Sequence, residues 1–149
     1  ALAEEIRARA VVGVGVVSAA RVDRDGILAA SLEAMRRAVA AACCREGPPD
    51  LILVDGREPI RPAPFRAVPQ RTLVQGDARA VCVAAASVVA KVHRDRLMVA
   101  YDRRYPGYGF HLHKGYASPE HLEALRRHGP TPIHRRSFRG VDEAGGGRR

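Results

Sequence analysis

The chain has 149 residues and a mass of 16.1 kDa, enough for one hydrophobic core, so it reads as a single domain. With 46% hydrophobic and 28% charged residues, the composition fits neither a disordered, a collagen-like nor a membrane-spanning chain. Lys and Arg number 25 against 16 Asp and Glu, a formal charge of +9 that calls for a polyanionic partner, with nucleic acid the first suspect.

From the N-terminus, residues 1–10 alternate in charge and space Leu2, Ile6 and Ala10 four apart, which predicts an amphipathic helix that begins without a capping residue. Residues 11–20, a run of Val, Gly and Ala, read as a buried strand. Asp25-Gly26 then caps a helix over 27–44, with Ile27, Leu28, Leu32, Met35, Val39 and Ala42 near one stripe, and Gly47-Pro48-Pro49 stops it. Residues 51–54 are short and wholly apolar, as in a central strand of a helix-covered sheet, and end on Asp55-Gly56. Residues 57–70 hold four prolines and form a loop, after which 72–75 make a second short strand leading to Gly76-Asp77. Residues 80–105 read as one long helix ended by Pro106, and 107–118 as a loop rich in aromatics, His and Gly. Ser118-Pro119 starts a short helix over 120–128, which Gly129-Pro130 stops.

Charge and histidine are concentrated late in the chain. Residues 91–149 carry a surplus of +7, the first 90 only +2, and all six histidines fall in the later segment. A solvated basic face and a nucleic-acid surface both fit that distribution. Of the 25 basic residues 23 are Arg, so Lys91 and Lys114 mark places where a planar guanidinium does not fit. Three cysteines, two of them adjacent, are an odd count that suits a reducing compartment, and the N-terminus lacks the order of a signal peptide, so the expected location is the cytoplasm.

Two carboxylates stand out. Asp55 ends a buried strand and Asp77 follows a second one, and sites of open α/β sheets form at strand ends. If the strands are neighbours the acids converge, which suits a hard, oxygen-preferring cation such as Mg²⁺ or Mn²⁺ and metal-assisted phosphodiester hydrolysis. The competing reading is that Asp55-Gly56 and Gly76-Asp77 are ordinary turns. The histidines offer no metal-ligand pair, since His111 and His113 stand two apart in a loop and His121 and His128 are expected on a helix surface. Lys91, Arg94 and Arg96 suit either phosphate contacts or a solvated helix face, and Asp95 between two arginines is read as structural.

A series of motifs, in order, resembles ribonuclease HII from about residue 2 to residue 139. They include Val54-Asp-Gly56, Ala84-Ala-Ala-Ser-Val-Val-Ala-Lys-Val92, Arg94-Asp-Arg-Leu-Met98, Tyr105-Pro-Gly-Tyr-Gly-Phe110, His113-Lys-Gly-Tyr116 and His134-Arg-Arg-Ser-Phe138. Both lysines fall inside them. The resemblance implies an α/β fold with a ribonuclease H-like sheet flanked by helices and a helical C-terminal region, over a domain at 1–139 followed by a Gly/Arg-rich tail at 140–149. It implies a monomer that cuts the RNA strand of RNA–DNA hybrids and incises duplex DNA at single ribonucleotides, through a two-metal site using Mn²⁺ or Mg²⁺, with no membrane partner. Asp55 and Asp77 match two of the family's catalytic, metal-binding carboxylates. Tyr116 matches its tyrosine that packs on the ribose at the junction, with His113 and Lys114 beside it as substrate-binding residues.

The family's opening segment, Gly-hydrophobic-Asp-Glu-Ala-Gly-Arg-Gly, is absent from the start of this chain, so the fold is expected to be N-terminally truncated. Gly140-Val-Asp-Glu-Ala-Gly-Gly-Gly147 nearly repeats that motif at the other end. Two readings stay open: a displaced motif in which Asp142 and Glu143 complete the acidic cluster, or an ordinary family tail. A second functional reading also follows, a catalytically impaired fragment that only binds hybrid or duplex nucleic acid through its basic face.

Overall fold

The sheet is built from two four-residue segments, β1 (Ile52–Asp55) and β2 (Gln70–Leu73), paired in parallel with Ile52 opposite Gln70 and Asp55 opposite Leu73. The computed structural model describes residues 1–60, 67–138, 140 and 141. The remaining elements are helical: α1 (Leu2–Arg9), α2 (Ala19–Asp25), α3 (Ile27–Glu46), α4 (Gly76–Arg79), α5 (Val81–Arg104), α6 (Phe110–His113) and α7 (Pro119–His128). Mixed α/β architecture is thus observed, with two strands among the described residues. The chain divides into a first unit, Ala1–Val17 with Ile27–Lys91, and a second, Ser18–Gly26 with Val92–Arg149.

In the first unit the core is the face where α3 meets β1. Ile52, Val54 and Ile60 are buried, and Met35, Val39 and Cys43, four residues apart on α3, pack against them. Ile27 and Leu28, expected on that stripe, are instead about 60% exposed, because they lie in the first turn of α3, ahead of the part that meets β1. The Gln70 side chain accepts from the Ile60 N–H at 2.9 Å and donates to the Ile60 carbonyl at 3.0 Å, which fixes Ile60 beside the start of β2. Strand β2 runs two residues earlier than the sequence suggests, since Gln75 adopts a left-handed conformation (φ 55°) that cannot continue a strand.

The expected strand over 11–20 does not form. Residues 11–17 take no regular structure and Ala19–Asp25 is helical, started by Ser18, whose hydroxyl accepts from the Arg21 N–H. A strand needs a neighbour to complete its hydrogen bonds, whereas this segment lies against a helix. A Cβ added at Gly13 would lie 1.9 Å from the Ala38 carbonyl oxygen, and one at Gly15 would lie 1.9 Å from that of Ala34. Glycine here therefore serves backbone-to-backbone contact with α3, and Arg37 Nη1 adds a bond to the Val16 carbonyl at 2.7 Å.

The second unit has its own core of Tyr108, Phe110, Ala124, Leu125 and Val141, with Met98, Tyr101 and Ile133 packed on it. Tyr108 and Phe110 stack with centroids 5.3 Å apart, and Tyr108 donates to the Gly129 carbonyl at 2.5 Å. The loop expected over 107–118 contains α6, and Ser118 caps α7 with Pro119 in its first turn, as its sequence predicts. Asp23 accepts from the Arg136 N–H and from the Ser137 N–H and hydroxyl, at 2.6–3.0 Å, which joins α2 to the 135–138 turn. No helix among the described residues is long and apolar enough to cross a membrane.

Candidate active site

Alternation along β1 buries Ile52 and Val54 and leaves Asp55, the last residue, exposed on the other face. Beyond β2 the left-handed Gln75 turns the chain so that the Gly76 N–H donates to Asp55 Oδ1 at 3.0 Å, while the Gly56 N–H donates to the Leu73 carbonyl at 2.9 Å. Gly76 is buried, and a Cβ there would sit 3.1 Å from both Asp55 Oδ1 and Val83 Cγ1. Asp77 follows directly, exposed, with Oδ1 accepting from the Ala78 N–H at 3.0 Å. Asp55 thus closes β1, and Asp77 lies four residues beyond the end of β2, as the second residue of α4, next to the Gly76 whose N–H holds Asp55.

Two carboxylates supply the oxygen donors that a hard divalent cation takes. Among the described residues no group of three or more His, Cys, Asp or Glu side chains gathers to hold a metal. The donor chemistry fits such a cation and the number of donors is small. Asp142 and Glu143 lie outside the described residues.

Tyr116, Lys114 and His113 belong to the second unit. The Tyr116 ring is 57% exposed, and the Arg94 guanidinium lies over it, 4.9 Å from its centroid. Lys114 closes α6 in a left-handed conformation (φ 51°) and its ammonium donates to the His111 carbonyl. Gln75 and Lys114 are the non-glycine residues at positive φ among those described, and each immediately precedes a glycine and then Asp77 or Tyr116. Left-handed backbone at a side-chain-bearing residue is costly and recurs where a functional side chain must be aimed. Arg96, Arg103 and Lys114 also line a shallow concavity with Asp95, all within this unit.

Next to Tyr116 the structure gathers His113, expected there, with His121 and His134, which the sequence did not mark. His121, expected on a helix surface, is only 5% exposed and His134 only 8%. His113 stacks on His121 at 4.3 Å between centroids, and Phe110 packs near all three rings. His113 Nε2 lies 2.8 Å from the Tyr108 carbonyl and its Nδ1 accepts from the Gly115 N–H. His121 Nδ1 lies 2.8 Å from the Tyr116 carbonyl and its Nε2 lies 3.1 Å from His134 Nε2. His134 Nδ1 accepts from the Thr131 N–H at 3.0 Å. Burial holds the pKa of His121 below its usual value, and burial with the neighbouring His121 lowers that of His134 to about 4, so both rings are neutral near pH 7. No periodicity marks these histidines, since they come from a helix face and a turn 13 residues apart.

Residues 1–141 match the family model of ribonuclease HII. The chain belongs to the ribonuclease HII family. It is 52% identical over 132 residues to the ribonuclease HII of Geobacter sulfurreducens, covering 89% of this chain and 58% of that protein. To the ribonuclease HII of Geotalea daltonii it is 49% identical over 143 residues, 95% of this chain and 63% of the relative. To that of Geobacillus kaustophilus it is 51% identical over 144 residues, 96% and 52% respectively. The chain therefore spans somewhat over half the length of the curated relatives it matches. Asp55, Asp77, Tyr116 and the three histidines all lie inside the segment that matches the family.

Proposed function

We propose that the chain carries out endonucleolytic hydrolysis of the RNA strand of RNA–DNA hybrids and incises duplex DNA at single ribonucleotides, by a two-metal mechanism with Mg²⁺ or Mn²⁺. The observation that carries the reading is the bond from the Gly76 N–H to Asp55 Oδ1, which holds the end of β1 to the residue that precedes Asp77. A divalent cation held by Asp55 and Asp77 would supply Lewis acidity, which would lower the pKa of an attacking water and offset charge on the departing 3′ oxygen. Each has one carboxylate oxygen engaged by a backbone N–H, which sets its orientation before any cation arrives. Tyr116 offers an exposed side chain to the ribose of the junction, where the 2′-hydroxyl separates RNA from DNA, with Lys114 two residues before it as a substrate contact and His113, whose ring nitrogens are both engaged by the backbone, supporting the loop. The net charge of +9 supports a polyanionic partner, the three cysteines are unbridged as suits the cytoplasm, and the protein acts as a monomer.

One observation favours a second reading, a chain that binds hybrid or duplex nucleic acid without cutting it: among the described residues no group of three or more His, Cys, Asp or Glu side chains is gathered. Incision of duplex DNA containing one ribonucleotide, with Mg²⁺ or Mn²⁺ present, separates the two. Cleavage that disappears in Asp55→Asn supports the enzyme. Binding with no incision above that control supports the second reading. If incision is present, an unchanged rate in the double variant Asp142→Asn, Glu143→Gln makes the tail an ordinary one, and a loss makes it part of the cluster.

A further inference from the structure

We infer that His121, held in one tautomer by His134, is a positioning residue that fixes Tyr116 for ribose recognition. The inference rests on the reading of Tyr116 as the ribose contact.

The backbone partners of the histidine chain have forced roles, because a carbonyl only accepts and a backbone N–H only donates. The Thr131 N–H donates to His134 Nδ1, with the Thr131 hydroxyl, which can donate as well, 2.9 Å from the same nitrogen, and this agrees with a neutral His134 ring that carries its proton on Nε2. That Nε2–H points at His121 Nε2, which must therefore be the acceptor. The His121 proton is then on Nδ1 and is donated to the Tyr116 carbonyl. The same logic puts the His113 proton on Nε2, toward the Tyr108 carbonyl. Four groups in series, from Thr131 to Tyr116, thus have one consistent arrangement. Moving any one proton would set two donors or two lone pairs face to face inside a buried cluster.

The consequence falls on a residue that lacks regular structure of its own. Tyr116 sits between α6 and α7, and its ring is exposed. Its backbone is pinned on both sides: its N–H donates to the His113 carbonyl at 2.9 Å, and its carbonyl accepts from the Ser118 N–H and from His121, each at 2.8 Å. His121 supplies a side-chain bond to that carbonyl, and it comes from a helix whose own position is set by the core through Ala124 and Leu125. A recognition ring on a loop discriminates only as sharply as its backbone is held.

Two measurements test this on the chain as it stands. Long-range proton–nitrogen spectra of the ¹⁵N-histidine-labelled protein near neutral pH should show His121 as the Nδ1–H tautomer and His113 and His134 as Nε2–H. A His121 ring protonated at Nε2 overturns the inference whatever the binding data show. In the second measurement, affinity for duplex DNA with one ribonucleotide is compared with that for the all-DNA duplex, without divalent metal. Wild type should prefer the ribonucleotide, and Tyr116→Ala should lose the preference. His121→Leu should reduce it by about fivefold or more, and His121→Asn, which keeps an N–H near the Nδ1 position, should restore most of it. If Tyr116→Ala keeps the wild-type preference, the ribose reading fails and the positioning role with it. If Tyr116→Ala loses it while His121→Leu keeps it, or if Asn restores nothing to a folded protein, the positioning role alone is overturned.

Discussion

The Gly76 N–H donates to Asp55 Oδ1 at 3.0 Å, tying the end of β1 to the turn from which Asp77 emerges. That bond anchors the Asp55 carboxylate to the backbone of the residue before Asp77. Gly76→Ala places a methyl 3.1 Å from both Asp55 Oδ1 and Val83 Cγ1 and 3.3 Å from Leu73 Cβ. We expect it to cost about 1 to 2 kcal/mol in a urea titration, by overpacking, and to lower incision by more than that loss explains, because the Asp55 carboxylate must turn. Incision that falls only as far as the folded fraction does would show that the bond has no part in the site.

Gly13→Ala and Gly15→Ala should be more damaging than Gly76→Ala. Their methyls would meet the Ala38 and Ala34 carbonyl oxygens at 1.9 Å, and a helix backbone cannot yield as a side-chain end can. A loss of about 3 kcal/mol or more is expected for each, read as a fall in the urea midpoint. A loss under about 1 kcal/mol would mean that residues 11–17 leave α3 at little cost.

Acid should destabilise the second unit through its histidines. His134 has a pKa of about 4 in the folded protein against an ordinary 6.5, and that of His121 is also lowered. The unfolded chain therefore binds more protons between those values, so stability rises with pH across that window. The contribution is complete above about pH 6.5 and is lost as pH falls toward 4, and for His134 it is on the order of 3 kcal/mol. Asp23, whose pKa is lowered by the hydrogen bonds from Ser137, acts in a separate window, its contribution being lost only below its ordinary 3.8. Urea titrations followed by tyrosine fluorescence from pH 7.5 to 4.5 should show the slope, and His134→Gln, which cannot titrate, should flatten it. An equal slope in that variant would assign the acid sensitivity elsewhere.

Nucleic-acid binding should weaken steeply with salt. If about four phosphates are neutralised, affinity falls roughly a hundredfold between about 50 and about 200 mM salt. Lys114→Ala should reduce the slope of log affinity against log salt by about 1 if its ammonium meets a phosphate. A flat dependence would remove the basic residues from the interface.

The elements that were legible in the sequence are those whose signal is local. Leu51 to Val54 is apolar and bounded by proline and Asp-Gly, and it yields β1; Ser118-Pro119 yields α7; the 80–105 pattern yields α5. Residues 11–17 misled because Val and Gly in succession fit both a paired strand and a segment packed on a helix, and only the presence of Ala34 and Ala38 beneath decides between them. Ile27 and Leu28 misled for a related reason, as periodicity shows which residues share a face and not how far the face is covered.

By itself, the order of motifs along the chain was sufficient to place it in its family and to single out Asp55, Asp77 and Tyr116, because residue types and short spacings are written in sequence directly. The tertiary structure decided how these residues are held. Pairing of β1 with β2 and the left-handed turn at Gln75 put the Gly76 N–H on Asp55, and the meeting of α7 with the 131–134 turn made His121 and His134 a single-tautomer clamp on Tyr116. Hydrogen bonds between residues 13 or 21 positions apart depend on where the folded backbone brings them, and no local pattern of side chains encodes that distance.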